Sequence, residues 1–162
     1  MKKNLSKKVT KQLKQVWRQV GFIVNLSQMI EYTLYNILAL NEILKEFESR
    51  DSMFVFEYNE LVDKANKIGK FLENKSLGCI ISKVKEVNYF TVEAIGLLED
   101  VLKKRNYVTH HLFRDDLKEK QLEKNPAIFF KELEDIISLM YSVNEELNEI
   151  FNRQKEEMNS ID

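Results

Sequence analysis

One proline, four glycines and one cysteine are all that 162 residues contain of the types that break or staple a fold. Leu, Ile, Glu, Lys and Asn abound instead, a balance that starves turns and suits helices, so an all-α protein is expected. A lone thiol, Cys79, forms no disulfide within its own chain and excludes a cysteine-based zinc site. A reducing, cytoplasmic setting fits that usage. The length suits one domain, residues 1–162, with a hydrophobic core that needs no staples.

Long apolar runs are missing too. Arg18 and Glu31 are separated by only twelve uncharged residues, well short of the ~20 that a membrane-spanning helix requires. The basic N-terminus, "MKKNLSKKVTKQLKQ", leads into no signal-peptide core, because Arg18, Asn25, Ser27 and Gln28 interrupt the apolar residues that follow. A soluble protein without a membrane partner is expected.

Several catalytic signatures are also lacking. No H-E-x-x-H is present and no Glu stands three positions before either histidine, which excludes a zincin and a ferritin-like di-metal site. Gly21, Gly69, Gly78 and Gly96 are too scattered for a dinucleotide or phosphate-binding loop. There is no G-x-S-x-G. Neither a metal nor a cofactor is expected.

Acidic residues are absent from the start of the chain. Residues 1–18 carry seven Lys or Arg and no acid, residues 19–113 carry eleven basic against thirteen acidic groups, and residues 114–162 seven against thirteen. A basic arm over residues 1–12, ahead of a mildly acidic body, either follows a phosphate backbone or is a solvated, flexible terminus.

What is present reads as four to five helices, the first and last of them long. Val16, Trp17, Val20, Val24, Leu34, Ile37, Leu38 and Leu44 recur at helical spacing from about Leu13 to Phe47. Phe22, Ile23, Leu26, Met29 and Ile30 widen the stripe beyond the need of one neighbour, as in a central helix or one that faces a second protomer. Glu48 to Glu60 breaks the pattern as a loop. A second helix is expected from about Tyr58 to Glu73, with Leu61, Val62, Ala65, Ile68, Phe71 and Leu72 inward. A short third lies within Asn74 to Val87, with Ser76 as N-cap. A fourth opens near Thr91. Asn125 and Pro126 start the last helix, whose end, residues 153–162, is expected to fray.

The stretch "LLEDVLKKRNYVTHHLFRDD" holds both histidines, His110 and His111. Projected as a helix from Val92 to Phe113, it gathers Ala94, Leu98, Val101, Leu102, Val108 and Leu112 into one stripe with Arg105 near its middle. Asn106 and His110 fall on one margin of the stripe. His111 and Tyr107 fall on the other side. A guanidinium does not shed its proton, and burying it unpaired costs several kcal/mol. Arg105 therefore either meets an acid on a neighbouring helix or lines a cleft that binds anions.

"RNYVTH" resembles the Arg-polar-x-x-x-His signature of the HEPN (higher eukaryotes and prokaryotes nucleotide-binding) superfamily. A long opening helix, a "SLGCII" segment before the motif helix and a long final helix agree with that resemblance. It implies an all-α bundle that dimerises and brings two motif helices together. It also implies a metal-independent endoribonuclease with a composite site of Arg and His from both chains. In that chemistry a ribose 2′-OH attacks the adjacent phosphorus and leaves a 2′,3′-cyclic phosphate and a free 5′-hydroxyl. Arginine clamps phosphate with a planar fork and histidine exchanges protons near neutral pH. On this reading Arg105 holds the phosphate, His110 is the acid or base, and Asn106 orients the site, with His111 in a supporting place. The implied setting is a toxin–antitoxin or antiviral defence system, with RNA as substrate and an antitoxin or regulatory protein as a further partner. Some toxin members carry a Tyr two positions after the histidine that a nucleotidyltransferase modifies; that position here is Leu112, so this regulation is not expected. The rival expectations are a non-catalytic HEPN-like module that binds nucleotide or RNA or serves dimerisation, and a structural helical partner subunit with Arg105 in a salt bridge.

Overall fold

Strong helix formers fill every long segment, and the computed structural model is all-α. It describes residues 7–49, 58–73, 75–114 and 116–160, and among these it has six helices and no strand. They are α1 (Lys7–Ser49), α2 (Tyr58–Glu73), α3 (Leu77–Val84), α4 (Val92–His110), α5 (Asp116–Lys124) and α6 (Pro126–Asn159).

Several expectations need correction. Six helices replace four to five, because α5 closes between the motif and Pro126 with Leu122 buried. The arm expected over residues 1–12 is helical from Lys7, and residues 1–6 lie outside the described residues. The expected loop from Glu48 to Glu60 begins and ends in helix, and its residues 50–57 lie outside the described ones. Val62 of α2 turns to solvent rather than inward. The end of α6, where fraying is expected, is helical to Asn159, with Gln154 fully buried and its Nε2 donating to the Ile37 carbonyl at 3.2 Å.

The chain divides into two compact units, the division falling inside α1, α4 and α6. The first comprises Met1–Gln28 and Asp100–Ser142. Val16, Val20 and Ile23 of α1, spaced four and three residues apart, are buried there, as are Val101 and Val108 of α4, Leu122 of α5, and Phe129, Leu133 and Met140 of α6. Each such side chain contributes about 1.5–3 kcal/mol by leaving water. Asn125 separates the last two helices: its N–H donates to Gln121 of α5 at 2.7 Å while its carbonyl accepts from Phe129 of α6 at 3.5 Å. Pro126 has no N–H with which to continue the α5 ladder, but its fixed φ suits the first position of α6.

The second unit comprises Met29–Glu99 and Val143–Asp162. Ile30, Leu34 and Ile37 of α1, Leu77, Ile80 and Val84 of α3, Leu98 of α4, and Leu147 and Ile150 of α6 are buried there. Thr91 caps α4, its Oγ1 accepting from the Ala94 N–H at 3.1 Å. Ser76 occupies the N-cap place of α3 with extended backbone, but its hydroxyl donates to Cys79 Sγ at 3.4 Å and makes no cap bond. Lys64 pairs with Glu46, Lys85 with Glu99 at 2.7 Å, and Tyr89 donates to Glu157.

Candidate functional site

The end of α4 belongs to the first unit and carries the motif residues. Arg105 lies on the buried line of this helix, four residues after Val101 and three before Val108. The residue as a whole is half-buried. Nη1 donates to Asn106 Oδ1 at 3.1 Å, while Nε is buried without a hydrogen-bond partner. No carboxylate of a described residue pairs with it. The salt bridge of the structural alternative is thus not found among the described residues. An orphaned donor of this kind costs about 1–3 kcal/mol.

Asn106 is half-buried and stands four residues, about one turn, before His110. It therefore links a guanidinium on the buried line to the side of the helix where His110 emerges. The Thr109 hydroxyl bonds back to the Arg105 carbonyl at 2.9 Å, a local bond that holds its own side chain against the helix.

The helix projected to Phe113 stops at His110. The Tyr107 carbonyl accepts from both the His111 and Leu112 N–H groups at 2.9 Å, and Arg114 N–H returns to the His111 carbonyl at 2.8 Å, closing a turn. His110 is thus the last helical residue and His111 lies beyond the helix; both are exposed. Their rings meet edge to face with centroids 6.5 Å apart, and neither imidazole hydrogen-bonds a described residue.

The residues brought together within one chain are therefore Arg105 with Asn106, and His110 with His111. Arg105 and His110 make no direct bond, being about 140° apart round the helix and ~7.5 Å along it. Tyr107 is half-buried and lines a groove of about 570 Å³ with Lys103, Lys104, Lys118, Glu132 and Asp135. Lys118 pairs with Glu132, and Lys104 with Asp100 at 3.8 Å, so acids temper the positive charge there. Among the described residues no group of three or more His, Cys, Asp or Glu is arranged to hold a metal ion.

Sequence periodicity assigns Trp17 and Phe22 to the apolar stripe of α1. Both are exposed, at 59% and 48%. Each pairs with an exposed aromatic of the same unit: Trp17 stacks on Phe113 with centroids 4.4 Å apart, and Phe22 meets Tyr141 at 6.4 Å. The signal that could have found them is the basic company of Trp17, between Lys14 and Arg18, since a core stripe is not usually flanked so closely by cations.

No protein-family model matches the chain, and neither a curated protein nor a solved structure is significantly similar to it.

Proposed function

We propose that the protein is a metal-independent endoribonuclease of the HEPN type, acting as a homodimer in the cytoplasm in a toxin–antitoxin or antiviral defence setting. The observation that carries this reading is Arg105: a cation on the buried line of α4 with no carboxylate partner among the described residues and an orphaned Nε, placed in an Arg-Asn-x-x-x-His sequence. A scissile phosphate would supply the anion that no described residue provides.

In the proposed reaction His110 takes the proton from a ribose 2′-OH as that oxygen bonds to phosphorus. Arg105 stabilises the charge gathering on the phosphoryl oxygens, and the bond from phosphorus to the 5′-oxygen breaks. The leaving oxygen needs a proton at the same time. One imidazole cannot both take and give in a single step, and Arg105 and His110 of one chain point different ways. A second copy across a twofold axis supplies the missing donor and brings its own guanidinium. Among the described residues no helix is long and apolar enough to cross a membrane, which accords with an RNA substrate met in solution.

One observation favours a second reading. A catalytic imidazole is ordinarily oriented by a third group, and neither His110 nor His111 is held by a described residue. A non-catalytic module that binds nucleotide or RNA through Arg105 would need no such orientation. Single-turnover cleavage of one RNA separates the two: the ribonuclease reading requires cleavage that Arg105→Ala and His110→Ala each abolish, and the binding reading requires RNA to bind uncut. Sedimentation of the wild type at micromolar concentration should show a dimer. A monomer that still cleaves would remove the composite site.

A further inference from the structure

Thirty residues pass from the N-terminus before the first acid, Glu31, and they carry seven Lys or Arg. Within the described part of that stretch Lys11, Lys14 and Arg18 of α1 are exposed, and none pairs with a carboxylate of a described residue. Arg114, next to Phe113, is exposed and unpaired in the same sense. Amid these cations lies the Trp17–Phe113 stack, its rings 21° from parallel, with 59% and 51% of the two residues still facing solvent. Each ring covers one face of the other, and more than half of each residue stays open to solvent.

Lys14 and Arg18 fall about 60° and 100° round α1 from Trp17, and Phe22 lies about 40° beyond Arg18. Arg18 thus falls between the Trp17–Phe113 and Phe22–Tyr141 pairs, and Lys14 lies on the same side of α1, about one turn nearer the N-terminus. Gly21 faces the same side, and a Cβ there would meet nothing within 4 Å, so internal packing gives no reason for a glycine in mid-helix. Exposed rings alternating with unpaired cations are the chemistry that holds single-stranded nucleic acid, in which bases stack on rings and phosphates meet the charges.

We propose that the Trp17–Phe113 pair is a platform on which a base of single-stranded RNA stacks, with Lys14, Arg18 and Arg114 holding the flanking phosphates. This rests on the RNA-cleaving reading for its ligand, and it adds that the substrate is unpaired where it meets the protein. Phe113 is three residues beyond His110, so a strand anchored there is led toward the motif. A second copy of the chain fits the patch less well. A twofold interface centred on it would set Lys14 and Arg18 against their own counterparts, like charge on like.

Trp17 is the sole tryptophan, so its fluorescence reports on this platform alone. The probe is a short oligouridylate with 2′-O-methyl riboses, which cannot undergo 2′-OH attack, added to the full-length wild-type protein. Saturable quenching of Trp17 is expected. Phe113→Ala should weaken binding by about 5- to 100-fold, the usual effect of losing one stacking ring, while Phe113→Tyr retains most of it. In the Lys14→Ala/Arg18→Ala double variant the dependence of log affinity on log salt should become shallower by about 0.7 for each phosphate that the variant no longer neutralises. Circular dichroism melts confirm that each variant folds. Binding of a labelled oligonucleotide without any change in Trp17 emission overturns the proposal. So does emission that changes with protein concentration alone, which would mark an interface between copies. If wild type cleaves RNA and Phe113→Ala binds and cleaves equally well, the platform falls and the ribonuclease stands. If the probe quenches Trp17 but no RNA is cut, the platform stands and the ribonuclease falls.

Discussion

Asn106 Oδ1 accepts a hydrogen bond from Arg105 Nη1 at 3.1 Å, the one protein partner of that guanidinium among the described residues. The bond ties a cation on the buried line of α4 to a neutral amide. A neutral acceptor orients the arginine without cancelling its charge, as a phosphate clamp requires.

Stability and activity should therefore separate at position 105. Arg105→Met removes an orphaned buried Nε and keeps the apolar stem, so the thermal midpoint should stay level or rise, at about 2–4 °C per kcal/mol for a chain of this size. RNA cleavage should vanish. A fall of the midpoint by about 5 °C or more would instead assign Arg105 a structural role.

Asn106→Ala should lower turnover by about 10- to 100-fold, the value of a hydrogen bond to a charged group, with little change in stability. Asn106→Asp should be worse than alanine, since a carboxylate beside Arg105 cancels the charge meant for phosphate. An aspartate variant that cleaves like wild type would show that the charge of Arg105 is not used.

Turnover should also tell the two histidines apart. His110→Ala should lose about 10²–10⁴-fold, the range for a general acid or base. His111→Ala, altered in the turn beyond α4, should be milder. Both side chains are exposed, so neither variant should shift the melt. An inactive His111→Ala beside an active His110→Ala would reverse the assignment.

The C-terminus offers a test of the fold alone. A chain stopped after Asn152 loses the buried Gln154 and the Tyr89–Glu157 bond. The expected cost is about 2–4 kcal/mol, from weakened packing and hydrogen bonding together. A truncation that melts like wild type would mean that this end of α6 contributes nothing.

Much of the fold is legible locally. Pro126 and Thr91 mark helix starts through chemistry that involves only a few neighbouring residues, and the second helix spans the expected Tyr58–Glu73. Burial of Gln154 depends on the Ile37 carbonyl, 117 residues away, and no local pattern encodes it. The helix α5 escapes a reading by period because its sequence, DLKEKQLEK, is too polar to show one. Trp17 is misplaced by the same reading, since periodicity counts a tryptophan as core whichever way its ring faces. At the site, the helix that carries Arg105 and His110 is legible. The Arg105–Asn106 bond, the end of α4 at His110 and the Trp17–Phe113 stack depend on side-chain placement that spacing alone does not determine.

In the proposed reaction the 2′-hydroxyl next to the scissile phosphate is the nucleophile, activated without a metal. The direct test is single-turnover cleavage, in EDTA, of one RNA and of the same RNA with a single 2′-deoxy residue at the mapped cleavage position. The all-ribose strand should be cut to a 2′,3′-cyclic phosphate and a 5′-hydroxyl, and no cut should occur at the substituted position. Cleavage of the deoxy-substituted strand at that position, or activity that disappears in EDTA and returns with magnesium, would contradict it.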